Sequence, residues 1–329
     1  MSEKNTNRPG DSGPLRCGLV VRNTGAHYVV EPDDGGPEVN CRIKGNFRIK
    51  GIRTTNPVAV GDRVAISAPG PDGTSFITAI EPRRNYIIRR SSNLSKAAHI
   101  IGANIDQAML VVTLAHPTTS TTFIDRFLAT AEAYNIPAII AINKIDLLTD
   151  PDDRELLEGV TYLYRSIGYK VVHLSARTGE GVDKLLELLE GKITLLSGNS
   201  GVGKSTLIND LIPGTEQRTA EISAAHDQGM HTTTFSEMFR LPDGGRIIDT
   251  PGVRGFGTVE FDRHEVAHYF PEIFATGKDC RFGNCTHTGE PGCAVREAVE
   301  DCRIAASRYA SYLNILTEDA SGADEKYRK

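Results

Sequence analysis

The stretch "LLSGNSGVGKSTLI", Leu195 to Ile208, decides the fold. An apolar run leads into Gly198-Asn199-Ser200-Gly201-Val202-Gly203-Lys204-Ser205, which fits G-x-x-x-x-G-K-[ST], and Thr206 continues it into a helical pattern. Glycines in such a loop let the backbone turn its N–H groups inward around anionic oxygens. Lys204 is placed to reach the outer phosphates and the Ser205 hydroxyl to bind Mg2+, while the helix N-terminus adds its dipole. The motif specifies a nucleotide without saying which one. It also sits late, with more than half of the 329 residues ahead of it.

Upstream of the motif the chain alternates strand and helix. "DQAMLVVTL", "IPAIIAIN", "KVVHLSA" and "KITLLSG" read as apolar strands, separated by "TTFIDRFLATAEAYN", "ELLEGVTYLYRSIG" and "GVDKLLELLEG" at helical spacing. Continuous apolar strands alternating with helices predict a parallel sheet covered on both faces. "EMFRL" and "RIIDT" complete it downstream.

The residues that would identify the base precede the phosphate loop. Asn143-Lys144-Ile145-Asp146 follows an apolar strand, at the strand end where ligands sit in such sheets. The Asp146 carboxylate can accept hydrogen bonds from N1–H and N2–H2 of guanine, a donor pair that adenine lacks. Lys144 would lie over the ring and Asn143 would brace the loop. A second strand end, Ser175-Ala176-Arg177, offers a backbone N–H for guanine O6. Downstream, Asp249-Thr-Pro-Gly252 would hold Mg2+ through Asp249 and sense the γ-phosphate through the Gly252 N–H. Between the two lies "HDQGMHTTTF", where one of Thr232, Thr233 or Thr234, with Thr233 favoured, would close on Mg2+ and the γ-phosphate. Every part of a GTP-binding site is present in rotated order. A domain whose natural termini lie close together tolerates such rejoining, so the sequence predicts a circular permutant spanning 98–257.

Residues 15–82 carry short β-rich runs broken by Gly, Pro, Asn and Asp, predicting a small all-β barrel. An OB-fold is the preferred version, although periodicity does not separate it from an SH3-like barrel. Residues 1–14 read as a flexible tail and 83–97 as a basic linker. The chain carries a net charge of −5, yet Asn40 to Arg90 holds ten Lys or Arg against Asp62, Asp72 and Glu81. That local balance points weakly to a polyanion partner against the plain alternative of a solvated surface. No apolar run reaches about 18 residues, which excludes a membrane-spanning helix.

"DCRFGNCTHTGEPGC" spaces Cys280, Cys285, His287 and Cys293 as C-x4-C-x-H-x5-C. Three thiolates and one imidazole meet the demand of a closed tetrahedral zinc site, with no open position for catalysis. Such a site in a reducing compartment places the chain in the cytoplasm. The alternative is a set of buried or redox cysteines. Cys17, Cys41 and Cys302 fall at no ligand spacing and are expected in the core. Residues 258–329 would form this zinc-binding, mostly helical C-terminal domain, with a last helix over roughly 294–317.

The order NKID, SAR, GNSGVGKS, HTTT, DTPG, then C-x4-C-x-H-x5-C, resembles the bacterial ribosome-small-subunit-dependent GTPase family (RsgA, also called YjeQ) from about residue 15 to 318. The resemblance implies an N-terminal OB-fold, a permuted GTPase centre and a C-terminal zinc domain. It also implies a protein that binds GTP or GDP, the small ribosomal subunit and its rRNA, and acts late in subunit maturation with stimulated hydrolysis; nothing in the sequence suggests an obligate dimer, so a monomer is expected. The basic barrel would then face rRNA phosphates.

Many GTPases place a water-orienting Gln after the glycine where this chain has Val253. A valine cannot orient water, so intrinsic hydrolysis is expected to be slow, with His231 as the candidate that positions the nucleophile. Two further readings remain at this level: an RNA-binding assembly protein for which GTP is mainly a structural ligand, and a metabolic or RNA-modifying NTPase built on the same core.

Overall fold

A computed structural model of the chain describes residues 16–25, 27–43, 57–70, 73–90, 98–212, 236–249 and 261–324. The switch candidates His231, Thr232, Thr233 and Thr234, together with Gly252 and Val253, lie outside the described residues.

The first lobe is a five-stranded barrel of β1 (Arg16–Asn23), β2 (Tyr28–Pro32), β3 (Val39–Ile43), β4 (Arg63–Ile66) and β5 (Ser75–Ile80). Neighbours run β1-β2-β3-β5-β4, and a β1–β4 pairing closes the ring. The β3–β5 pair is parallel and the others are antiparallel. This is an OB-like barrel. Alternation along the strands turns Val20, Val30, Cys41, Val64, Ile66 and Ile77 into one core.

A segment expected as linker is partly a strand. Here β6 (Tyr86–Arg90) pairs antiparallel with β7 (Ala98–Ala103). Its Ile87 is buried with Ile101 and Ile105 in the largest core among the described residues, and Asn85 exchanges two 2.8 Å hydrogen bonds with the Ile105 backbone. The flanking arginines hid this packing, because "PRRNYIIRR" reads as polar unless Ile87 is given a buried partner. The arginines themselves are not all free charge. Arg83 lies buried against Asp62 at 2.6 Å, Arg84 meets Asp106 at 2.7 Å, and Arg63 pairs with Asp33 and Glu81. The local excess of positive charge therefore overstates what the barrel offers a polyanion.

The central lobe holds five parallel strands, β8 (Gln107–Val112), β9 (Ala138–Ile142), β10 (Lys170–His173), β11 (Ile193–Ser197) and β13 (Arg246–Asp249), with β12 (Ser236–Arg240) antiparallel beside the last. Their order is β10-β9-β8-β11-β13-β12. All six residues of β8 are buried. Leu110 and Val112 belong to the core under α1 (Thr121–Ala133) and α2 (Pro151–Ile167), whereas Met109 and Val111 belong to the core under α3 (Val182–Leu189) and α4 (Lys204–Leu211). Two opposite faces both need apolar cover, which is why these strands read as unbroken apolar runs. Helix boundaries follow local chemistry. Ser120 caps α1 by accepting from the Phe123 N–H at 3.3 Å, and Gly168 ends α2 at φ 111°.

Barrel and sheet are continuous. Arg22 and Asn23 of β1 pair with Glu237 and Ser236 of β12, so eleven strands form one hydrogen-bonded sheet. Arg22 meets Glu237 at 2.5 Å across that seam, and the Glu31 carboxylate accepts from Arg246 at 2.8 and 2.9 Å and from Arg240.

The C-terminal lobe comprises α5 (Pro271–Gly277), α6 (Ala294–Glu300) and α7 (Ala306–Asp324) around a core that takes in Ala129 from α1. One helix was expected over 294–317, but the chain breaks between α6 and α7. Cys302 takes φ 58°, and the Arg303 and Ile304 N–H groups fold back on the Ala298 carbonyl. No Gly or Pro marks that stop. Cys302 and Cys17 are exposed, against expectation, and Cys41 is buried. The turn delivers Arg308 into the seam between lobes. Its side chain is 1 % exposed and reaches Asp125 of α1 at 2.9 Å and Glu272 of α5 at 2.7 Å. Tyr164 of α2 donates to the same Asp125 at 2.8 Å, and the guanidinium lies 4.6 Å from the Phe270 ring centroid. Burial pushes the Asp125 carboxyl above its ordinary pKa, against the opposing pull of Arg308.

Candidate functional site

The loops at the C-terminal ends of β9, β10 and β11 converge. Asn143, only 2 % exposed, joins all three. Its Nδ2 donates to the Val202 carbonyl of the phosphate loop at 2.8 Å, and its Oδ1 accepts from the Ala176 N–H at 3.0 Å. From the sequence, a backbone N–H at this strand end is expected to face guanine O6. In this structure the Ala176 amide is held by Asn143, so the carboxamide fixes the spacing of base loop and phosphate loop.

Lys144 stands at φ 63° with its ammonium donating to the carbonyls of Gly201 at 2.7 Å and His116 at 2.5 Å. His116 lies in the loop after β8, and its main-chain role left no trace in the side-chain pattern. The Asp146 carboxylate accepts from the Ser175 hydroxyl at 2.5 Å and from Arg177 at 2.5 Å. The Ser175 hydrogen bond leads in holding its pKa below the ordinary carboxylate value, with Arg177 adding to it. An ionised, acceptor-only group with Asp146 only 11 % exposed is what a guanine edge requires.

Glycine is demanded at two points of the phosphate loop. Gly198 has φ 152° and a Cβ there would lie 2.5 Å from the Val111 carbonyl oxygen; Gly203 has φ 94° and a Cβ would meet Asn143 Nδ2 at 2.5 Å. The second contact ties the last loop glycine to the base reader. Lys204 folds over the loop, its Nζ donating to the carbonyls of Gly198 at 2.6 Å and Asn199 at 2.8 Å. Burial lowers its pKa, while Asp249 raises it. Asp249 ends β13 level with Leu196 of β11. Its carboxylate and the Ser205 hydroxyl at the start of α4 are hard oxygen donors beside the phosphate loop, the kind that Mg2+ takes together with phosphate oxygens. Ser200 and Thr206 complete the stretch on described backbone.

In the C-terminal lobe Cys280, Cys285, His287 and Cys293 bring their ligand atoms within 4.8 Å of one another. His287 Nδ1 lies 3.5 Å from the sulfurs of Cys280 and Cys293, which are 4.0 Å apart. A tetrahedral ion with zinc's bond lengths would set such edges at about 3.6 Å for N to S and about 3.8 Å for S to S. The donor set therefore fits zinc. Burial keeps the His287 imidazole below its ordinary pKa, in the neutral form a metal ligand needs. Glu290 organises the loop: its carboxylate accepts from the Thr286 N–H and hydroxyl at 2.7 Å, the Thr288 N–H at 2.9 Å and the Gly289 N–H at 3.0 Å. Tyr309 and Tyr312 of α7 donate to the carbonyls of His287 and Thr286 at 2.5 and 2.8 Å. Sequence reasoning missed this acid, although its position between ligands His287 and Cys293 was the available signal.

Family models described as RsgA GTPase and RsgA N-terminal domain match residues 80–259 and 17–75. A Bacteroides fragilis protein named small ribosomal subunit biogenesis GTPase RsgA is 61 % identical over 94 % of this chain and 98 % of its own. A Porphyromonas gingivalis protein of the same name is 59 % identical over the same shares. The chain belongs to the RsgA GTPase family. Among solved structures of the family's fold, YjeQ from Thermotoga maritima superposes with a TM-score of 0.76 at 35 % identity, over 93 % of this chain and 99 % of that one. YloQ, described as a circularly permuted GTPase, gives a TM-score of 0.71 at 30 % identity over 96 % and 98 %. The RsgA reading made from motif order is thus matched across both lobes that the family models cover, and the chain is a GTPase. Among the described residues no helix is long and apolar enough to cross a membrane.

Proposed function

We propose that this GTPase binds the small ribosomal subunit during late maturation and hydrolyses GTP to GDP and phosphate there, the subunit stimulating the reaction. The observation that supports it best is the pair of hydrogen bonds from the Asn143 carboxamide to the Val202 carbonyl and the Ala176 N–H, which sets a guanine-selecting carboxylate at a fixed reach from a phosphate loop. Asp146 would accept from the guanine edge, with Lys144, Ser175, Ala176 and Arg177 framing the base. Residues 198–206 would hold the phosphates, Lys204 releasing two loop carbonyls to do so. Ser205, Asp249 and Thr233 would hold Mg2+, which supplies charge neutralisation between the phosphates. Gly252 would sense the γ-phosphate, and His231 would position the attacking water in place of the missing Gln. Cys280, Cys285, His287 and Cys293 would hold one structural Zn2+. The protein would act as a cytoplasmic monomer whose barrel faces rRNA.

The experiment is GTP turnover with and without purified small subunits, with ATP as competitor. Stimulation by the subunit and failure of ATP to compete are the expected results. Absence of stimulation favours the second reading, an RNA-binding assembly protein in which GTP is a structural or switch ligand; Val253 is the residue that speaks for it. Unchanged stimulated turnover in His231→Ala removes that residue from the reaction.

A further inference from the structure

The C-terminal lobe carries two large aromatic side chains on its surface that no core explains. Phe274 of α5 is 44 % exposed and Phe282, between two metal-cluster cysteines, is 41 % exposed. Both rings line the same cleft of about 420 Å³, walled on one side by the Cys/His loop. Each has a cation near it: Lys278 Nζ lies 5.4 Å from the Phe274 ring centroid and Arg281 Cζ 5.5 Å from that of Phe282. His268 meets Phe274 edge-on at 4.8 Å, which fixes the ring. Arg263 and Asn284 also line the space, and no Asp or Glu occurs among the described residues that do so.

Each feature restricts the occupant. Two exposed rings in one cleft call for a flat, apolar-faced group. Cations without carboxylates call for negative charge carried beside that group. A carboxamide can read a polar edge. A nucleotide whose base is out of its stack joins all three, since every base has a π-face and brings a phosphate with it. A duplex hides those faces, and an acidic peptide would use the cations but leave the rings without a partner. We infer that the Phe274–Phe282 cleft binds an unpaired base of single-stranded RNA together with its flanking phosphate.

The inference deepens the ribosomal reading by giving the C-terminal lobe its own RNA contact, separate from the barrel. Its test therefore needs no ribosome. The full-length zinc-loaded chain is titrated with a fluorescent single-stranded RNA decamer, and with an oligomer of equal length and charge carrying abasic sites. Phe274→Ala and Phe282→Ala should each weaken binding of the RNA by about fivefold to a hundredfold, the range for loss of one base–aromatic stack, and barely affect the abasic oligomer. Phe274→Trp should keep the affinity. Zinc content and thermal midpoint, measured on each variant, guard against misfolding. Equal affinity of wild type and both alanine variants for the RNA overturns the inference, as does an equal loss on both oligomers, which would mean charge alone is read. Loss of small-subunit binding with unchanged RNA affinity would assign the cleft to a protein and also overturns it. Absence of subunit-stimulated turnover in the wild type would strike the ribosomal reading without touching the oligomer result.

Discussion

Asn143 Nδ2 and the Val202 carbonyl oxygen lie 2.8 Å apart although the residues are 59 positions apart in the chain. Removing that bond in Asn143→Ala leaves the Val202 carbonyl and the Ala176 N–H without their partner in a buried place. A stability loss of about 1–3 kcal/mol is expected, measured by denaturant unfolding. GDP affinity should fall with it, because base loop and phosphate loop lose their common spacer. Gly203→Ala should act on the same link from the other side, through a left-handed backbone and a Cβ at 2.5 Å from Asn143 Nδ2. The two changes share one contact, so the double variant should lose less than the sum of the single losses.

Asp146→Asn exchanges one acceptor oxygen for an N–H donor. Guanine presents donors there and xanthine presents a carbonyl at C2, so GDP affinity should fall at least about a hundredfold while xanthosine diphosphate gains. Competition binding with both nucleotides checks the inversion.

The depressed pKa of Asp146 gives a pH signature. A carboxylate whose folded pKa lies below its unfolded value contributes fully above the unfolded value and fades as pH falls through the folded one. The Ser175 hydroxyl is the leading cause of the depression. The ratio of wild-type to Ser175→Ala affinity for GDP should therefore stay flat above about pH 5 and widen as pH approaches the ordinary carboxylate pKa near 4. A ratio that stays flat throughout would show that Ser175 does not tune the carboxylate.

Arg308→Met would leave the Asp125 and Glu272 carboxylates without their buried counter-charge. A loss of about 3–5 kcal/mol is expected, with protease cleavage appearing between the central and C-terminal lobes. Calorimetry and limited proteolysis read the two effects.

Metal removal has a thiol count as its readout. With zinc bound, Cys17 and Cys302 should react quickly with a thiol reagent because they are the exposed pair. Chelation should release three more, those of Cys280, Cys285 and Cys293, while the buried Cys41 stays slow.

The parts of this fold that could be read in the sequence are those whose cause is local. The phosphate loop shows itself by the local spacing of Gly198, Gly203, Lys204 and Ser205 and by the positive φ its glycines adopt, although the groups that crowd Gly198 and Gly203, Val111 and Asn143, are distant in the chain, and β8 declares its burial on both faces by an unbroken apolar run. The Cys/His spacing is likewise complete within fourteen positions, Cys280 to Cys293. What stayed hidden depends on distant partners. Arg308 looks like any polar helix residue until Asp125, 183 positions away, is brought to it. The break after α6 has no glycine to announce it. The β1–β12 pairing joins strands whose own patterns say nothing of each other, and the side-chain tautology of basic residues with surface charge failed at Arg83, which is buried on Asp62.

The seam between β1 and β12 also sets a timetable for synthesis. At Arg22 and Asn23, one edge of β1 is already taken by β2, and the other awaits Glu237 and Ser236, made more than two hundred residues later. The same holds for β8, whose neighbours are β9 and the much later β11. A nascent chain emerging N-terminus first thus carries open strand edges until β12, Ser236–Arg240, has left the ribosome. Exposed edges of that kind invite wrong pairing.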